Sequence, residues 1–336
     1  MNNVTFARTA LIVLVVLGHS LAPWTGDWGY TEAVIDAPIL GYISQWISTY
    51  HTITLTAISG FTYEYIVDKR GGYLFNELLK KKTKRLLIPY FLVSVLWVIP
   101  LTSYFADITP DFVINKFVLG KAPSQLWYLI MLFDVFVMFF PLRLLINKSK
   151  WFYLLPPMLY VLGSLIGDQT NNYYQFFSAL RFLSFFAIGH LVYQYKEKLF
   201  SIKRISLGNP QVLITLLLIH VFVFILYLQD IPKTKTLLML YMNFAGCLTI
   251  MAALFYIGER INQQGKFMSM LNDNSFAIYL FHQQIIYYSL FFLNGLMNPV
   301  LHAFVNFVVS LALSLVFILV FRKVGFLRIY MLGEKK

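Results

Sequence analysis

Charge is scarce in this sequence. Asp, Glu, Lys and Arg make up 12% of its 336 residues, about half the roughly 25% usual in a soluble domain. Cysteine is scarcer still: Cys247 is the only one and lies in an apolar run, so a disulfide framework and a thiolate metal site are both excluded. The amino terminus lacks a clear small-x-small cleavage site. Its apolar run near 10–21 follows closely on Arg8 and reads as a retained first helix rather than a secretory leader. No internal repeat is evident and no long soluble region is appended. What the chain has instead is apolar residues, 59% of the total, with a mean hydropathy of +0.68. These apolar runs recur along the whole length, as expected of a chain whose main solvent is lipid. The net charge of +12 sits between them, and no stretch interleaves basic and aromatic residues on a polar background. Nucleic acid is not an expected partner; the lipid bilayer is.

A membrane span takes about 20 mostly apolar residues, and about ten segments meet that requirement. They lie near 4–22, 39–67, 86–105, 125–146, 151–167, 176–195, 211–229, 237–258, 275–295 and 303–322. The second is over-long and reads as bent or broken. The fifth is short and carries Pro156 and Pro157. The expected fold is all-α, a polytopic transmembrane helix bundle forming a single membrane domain over 1–336. Lys and Arg crowd one set of loops, 69–85, 148–150, 196–204 and 260–266, with the tail from Arg322 to Lys336; the alternate loops hold only Lys116, Lys121, Lys233 and Lys235. Basic loops stay cytoplasmic, which puts both termini on the cytoplasmic side, and an even number of spans agrees.

Ionisable groups inside spans are costly and are functional candidates by default. Arg8 and His19 are eleven positions apart, three helical turns, so they share one face of the first span about 16 Å apart. An edge arginine snorkelling beside an interfacial histidine is the equal alternative for that pair alone. The second span carries His51, a run of threonines, and Ser59-Gly60-Phe61. The basic run from Lys80 to Arg85 closes directly on Pro89 and Tyr90. Trp127 opens the fourth span, with Asp134 seven positions on and on the same face. Ser275, Tyr279 and His282 fall at spacings of four and three on one face. Arg181, in the outer half of the sixth span, is placed either to bind an acidic acceptor or to pair with Asp134, and pairing is favoured. His190, His220 and His302 read as ordinary satisfied or interfacial histidines. His19 and His51 hint at a metal pair, but no Cys, Asp or Glu completes a ligand set, so no metal is expected.

Taken together, in order and spacing, these elements resemble acyltransferase family 3, membrane proteins that move acyl groups from acyl-coenzyme A to extracytoplasmic sugars. The matching elements are Arg8 and His19, His51 with Ser59-Gly60-Phe61, the basic run into Arg85, Trp127, the FFAIG string at 185–189, and SFAIYLFH at 275–282. The resemblance implies that His19 is the catalytic histidine, with Arg8 as its partner. It also implies that Arg85, with Lys82 where the family often has a first arginine, lies near the coenzyme. Lysine keeps the charge there but not the planar fork. Gln283 stands where the family often has proline.

The implied activity is that of an O-acyltransferase, an O-acetyltransferase first, of a bacterial plasma membrane. Acyl-coenzyme A, acetyl-coenzyme A first, is the expected donor co-substrate, and a cell-surface or exported polysaccharide the acceptor. Arg8, Lys82 and Arg85 would hold the phosphates through charge-assisted hydrogen bonds. The thin pantetheine arm would carry the thioester towards His19, which acts as general base on the incoming hydroxyl. His51, Ser59, Trp127, Asp134, Arg181, Tyr279 and His282 are expected to line the substrate cavity, a structural hydrogen bond for His282 being the equal alternative. Direct transfer and an acyl-enzyme both fit these residues, as do a homo-oligomer and separate glycan-assembly partners. A glycan carrier or flippase is the competing class. It needs a polar-lined bundle, but not a dense basic loop or an Arg8–His19 face.

Overall fold

The computed structural model describes residues 2–167, 170–200, 207–231, 234–261 and 265–334. Lys203, Arg204, Lys233, Lys335 and Lys336, part of the charge pattern above, lie outside the described residues. Of the described residues 83% are helical, and no strand occurs among them. Its main helices are α1 (Asn2–Leu21), α2 (Pro38–Ser48), α3 (His51–Arg70), α4 (Phe75–Thr102), α5 (Trp127–Lys148) and α6 (Leu155–Gly167). They continue with α7 (Phe176–Leu199), α8 (Pro210–Leu228), α9 (Lys235–Arg260), α10 (Lys266–Leu293) and α11 (Pro299–Arg322).

Among the described residues, eight helices are long and apolar enough to cross a membrane: α1, α4, α5 and α7 to α11. This is an all-α polytopic membrane fold. The two remaining segments from the sequence correspond to α2 with α3 and to α6. The over-long second run breaks at Thr49–Tyr50, where Tyr50 leaves helical geometry at φ −136° and ψ −25°. Beyond the break, α3 carries threonines and the charged Glu64, Asp68, Lys69 and Arg70, which lower its apolarity. The 13 residues of α6 rise only about 20 Å, against a hydrocarbon core of about 30 Å. Pro156 and Pro157 stand in its first turn, where a missing N–H leaves no helical bond unmade.

Proline also shapes α4. Its backbone widens into π-type turns at Thr83–Leu87 and Ser94–Val98. In an α-helix the Arg85 and Leu96 carbonyls would accept from residues 89 and 100. Both positions are proline and offer no N–H, so each turn widens around the orphaned carbonyl.

By its internal contacts the chain divides into two compact units. The first comprises Met1–Gly18, Ile43–Gly71 and Phe185–Asp273; the second comprises His19–Tyr42, Gly72–Ser184 and Asn274–Lys336. The first unit is assembled on glycines. A Cβ on Gly60 would stand 2.0 Å from the Phe186 carbonyl oxygen, and one on Gly189 1.7 Å from the Ala57 oxygen. Helices α3 and α7 therefore cross backbone to backbone, the contact that small residues permit in membranes, where packing rather than water exclusion holds helices together.

Helices α8 and α9 meet at a third glycine of this unit. The fully buried His220 ring lies 6.1 Å from the Trp46 ring and 5.8 Å from Tyr50, and a Cβ on Gly246 would come within 2.5 Å of its Cε1. Gly246→Ala is expected to destabilise the protein by about 1–3 kcal/mol through overpacking. Adding His220→Ala should return part of that loss. Thermal unfolding of the single and double variants in detergent checks it, and strictly additive effects would deny the contact.

Candidate active site

His19 lies near the end of α1, and the second unit builds a polar cluster around it. Its Nδ1 is 2.7 Å from Nε2 of His282, and the two rings stack with centroids 5.0 Å apart at 11°. His282 is fully buried on α10. The Nδ1 of His282 lies 3.1 Å from the Ile278 carbonyl oxygen and 2.9 Å from that of Tyr279. Carbonyls only accept, so Nδ1 of His282 carries a proton and, in the neutral ring, Nε2 carries a lone pair. That lone pair takes the Nδ1–H of His19. The consequence is directional: neutral His19 is held as the Nδ1–H tautomer, with Nε2 as its basic nitrogen.

Trp28 covers the same histidine, its ring 5.4 Å from that of His19. Trp28 is held in turn by Tyr287, whose hydroxyl donates to the Trp28 carbonyl at 3.0 Å, while the Gln283 amide donates to the Tyr287 hydroxyl at 3.3 Å. Gln283 thus leaves α10 helical past His282 and props the far wall. Below the pair, the Tyr279 hydroxyl donates to the Gln125 backbone carbonyl. The Gln125 amide donates to the Leu280 carbonyl and to Gln284 Oε1, both at 2.7 Å. These bonds lock the chain ahead of α5 onto α10, and Tyr128 follows with its ring 6.0 Å from Tyr279.

The other expected site residues divide between the two units. In the second, Lys82 puts its ammonium 3.2 Å over the Phe136 ring, whereas Arg85 is exposed. Trp127 packs edge-on against Phe182 at 5.6 Å. Asp134 and Arg181 are not paired: the Asp134 carboxyl has no charged partner, and the Arg181 stem lies beside Gly163. The favoured pairing is therefore replaced by two separate groups. In the first unit, Arg8 Nη2 donates to Asn272 Oδ1 at 2.8 Å, and Thr9 reaches the same oxygen at 3.3 Å. His51 donates from Nδ1 to the Ile47 carbonyl at 2.8 Å; it ties the orphan end of α2 to the start of α3. Ser59 bonds back to the Leu55 carbonyl at 3.0 Å. In that motif the neighbouring glycine does the packing.

Several residues of these hydrogen-bonded clusters carry no signal in the sequence. Gln125, Gln284, Trp28 and Asn272 are polar or aromatic residues at span ends, where such residues are ordinary. Glu64 and His190 form a buried pair at 3.0 Å, with the Gln194 amide 3.1 Å from the other His190 nitrogen. His190 thus stands beside an acidic partner that spacing alone does not reveal.

A polytopic helical membrane protein carrying a tautomer-locked histidine pair is the class that fold and site define. The family model described as an acyltransferase domain matches residues 1–322. The chain belongs to acyltransferase family 3 and is a membrane acyltransferase. No curated protein and no solved structure matches it.

Proposed function

We propose that the protein is an O-acetyltransferase of the bacterial plasma membrane. It takes the acyl group from cytoplasmic acetyl-coenzyme A and places it on a hydroxyl of an extracytoplasmic polysaccharide. The observation that supports this reading best is the directed hydrogen bond from His19 to His282, which gives His19 one defined basic nitrogen. In the proposed step the acceptor hydroxyl loses its proton to His19 Nε2 as its oxygen attacks the thioester carbonyl carbon. The new C–O bond forms and the C–S bond breaks, and the departing thiolate recovers that proton from His19. Arg85, exposed on its widened turn, is the proposed contact for the coenzyme's phosphates. Lys82 and, by the sequence argument, Arg8 add positive charge for the same donor. A glycan carrier needs no base, and the locked tautomer would serve no purpose in it.

Within this reading His282 is a positioning residue. His282→Leu removes the acceptor that fixes the His19 tautomer and is expected to lower kcat on the order of 10²-fold, with the KM for acetyl-coenzyme A unchanged. His282→Gln, whose amide oxygen can accept the same proton, should recover part of the rate. Steady-state kinetics on purified protein with labelled acetyl-coenzyme A and glycan test the whole assignment. Equal rates for wild type, His282→Leu and His282→Gln would remove His282 from the mechanism.

A further inference from the structure

A second cleft in the same unit shares no residue with the histidine pair. Asp134, Val137 and Met138 of α5 line one side, and Asn171, Tyr173 and Tyr174, ahead of α7, line the other; its volume is about 570 Å³. The Asp134 carboxyl is half-buried and has no hydrogen-bond or ion-pair partner among the described residues. An unpartnered carboxyl inside a span is a functional candidate by default.

The opposite wall is held in an uncommon conformation. Tyr174 and Gln175 sit at φ 53° and 58°, a region that non-glycine residues keep only where their surroundings over-determine it. Here they do. The Tyr174 N–H donates to the Leu119 carbonyl at 2.8 Å, and the Gln175 amide donates to the Gly120 and Lys121 carbonyls at 2.7 and 2.8 Å. Asn172 adds bonds to Ser178 Oγ and from the Phe177 N–H. The result is that Tyr173 and Tyr174 remain 43% and 53% exposed beside the carboxyl. Lys121 places its ammonium 4.9 Å from the Tyr173 ring centre, so the wall already carries a cation and disfavours a cationic occupant.

We propose that this cleft is a subsite for a neutral sugar ring of the acceptor. The sugar's hydroxyls donate to Asp134 and accept from the Asn171 amide, and its apolar face lies on a tyrosine ring, an apolar cleft with few polar groups being the usual form of a small-ligand site. The inference rests on the acceptor reading above, and by the charge-derived topology this end of α5 faces away from the cytoplasm.

The test uses full-length protein in a detergent without a sugar head, with octyl glucoside as the probe. Octyl tetraethylene glycol ether (same tail, no sugar) and octylammonium (same tail, cationic head) are the controls. Octyl glucoside is expected to raise the unfolding temperature by several degrees and the controls to leave it in place. Asp134→Asn and Tyr174→Ala should each remove more than half of that shift, with Tyr173→Ala as the substitute if either fails to fold. Equal shifts from all three probes, a shift from octylammonium alone, or an unreduced octyl glucoside shift in the variants would overturn the subsite. The shift should persist in His19→Ala. If that variant still transferred acetyl at the wild-type rate while binding depended on Asp134, the catalytic reading would fall and the subsite would stand. Normal catalysis with binding indifferent to Asp134 would sink the subsite alone.

Discussion

His19→Ala is expected to lower acetyl transfer by about 10²–10⁴-fold, the usual contribution of a positioned general base. The loss should fall on kcat. The imidazole has no proposed role in holding the donor's phosphates, so the affinity for acetyl-coenzyme A should be unchanged by equilibrium binding. His19→Gln should be nearly as slow, because an amide keeps a hydrogen-bond donor towards His282 but offers no basic nitrogen. Wild-type kcat in His19→Ala would mean that the histidine pair is structural. A loss confined to the donor KM would move His19 from chemistry to binding.

Gly189→Ala is expected to cost about 3 kcal/mol or more, at the upper end of overpacking penalties. The added carbon would meet Ala57 O at 1.7 Å, Ala57 C at 2.6 Å and Phe61 N at 2.9 Å. All three are backbone atoms, so no side chain can swing aside. Helices α3 and α7 must separate, which strains the Glu64–His190 pair formed by the residue next to Gly189. Gly265 offers the control, since a Cβ there meets nothing within 4 Å. Thermal unfolding in detergent should show a large drop for Gly189→Ala and none for Gly265→Ala. Equal unfolding temperatures for the two variants would contradict the backbone crossing.

The spans are legible in the sequence because lipid imposes long apolar runs, and the break at Thr49–Tyr50 is legible as a run too long for one helix. The glycine crossing is half legible. Gly60 and Gly189 stand out as small residues in apolar runs, but their partners Phe186 and Ala57 do not. Arg8 and His19 are visible because they sit on one helix at a three-turn spacing. The bond between His19 and His282 joins residues 263 positions apart, and helix periodicity carries no information about which faces meet. For the same reason His282 reads equally well as a cavity residue or a structural one, and the structure makes it His19's direct partner. Asp134 and Arg181 err in the other direction. Opposite charges in the fourth and sixth spans invite pairing, yet Asp134 turns to the cleft with Tyr173 and Tyr174 while the Arg181 stem packs against α6.

In the proposed reaction an acetyl group crosses the bilayer without the coenzyme. The most direct measurement places the purified protein in one orientation in liposomes, supplies radiolabelled acetyl-coenzyme A on the cytoplasmic face only, and confines polysaccharide to the opposite face. Label should accumulate as ester on the polysaccharide, with free coenzyme A released on the donor side and both lost in His19→Ala. Passage of unmodified polysaccharide across the bilayer, with no label on it, would contradict the account and assign the protein to glycan transport.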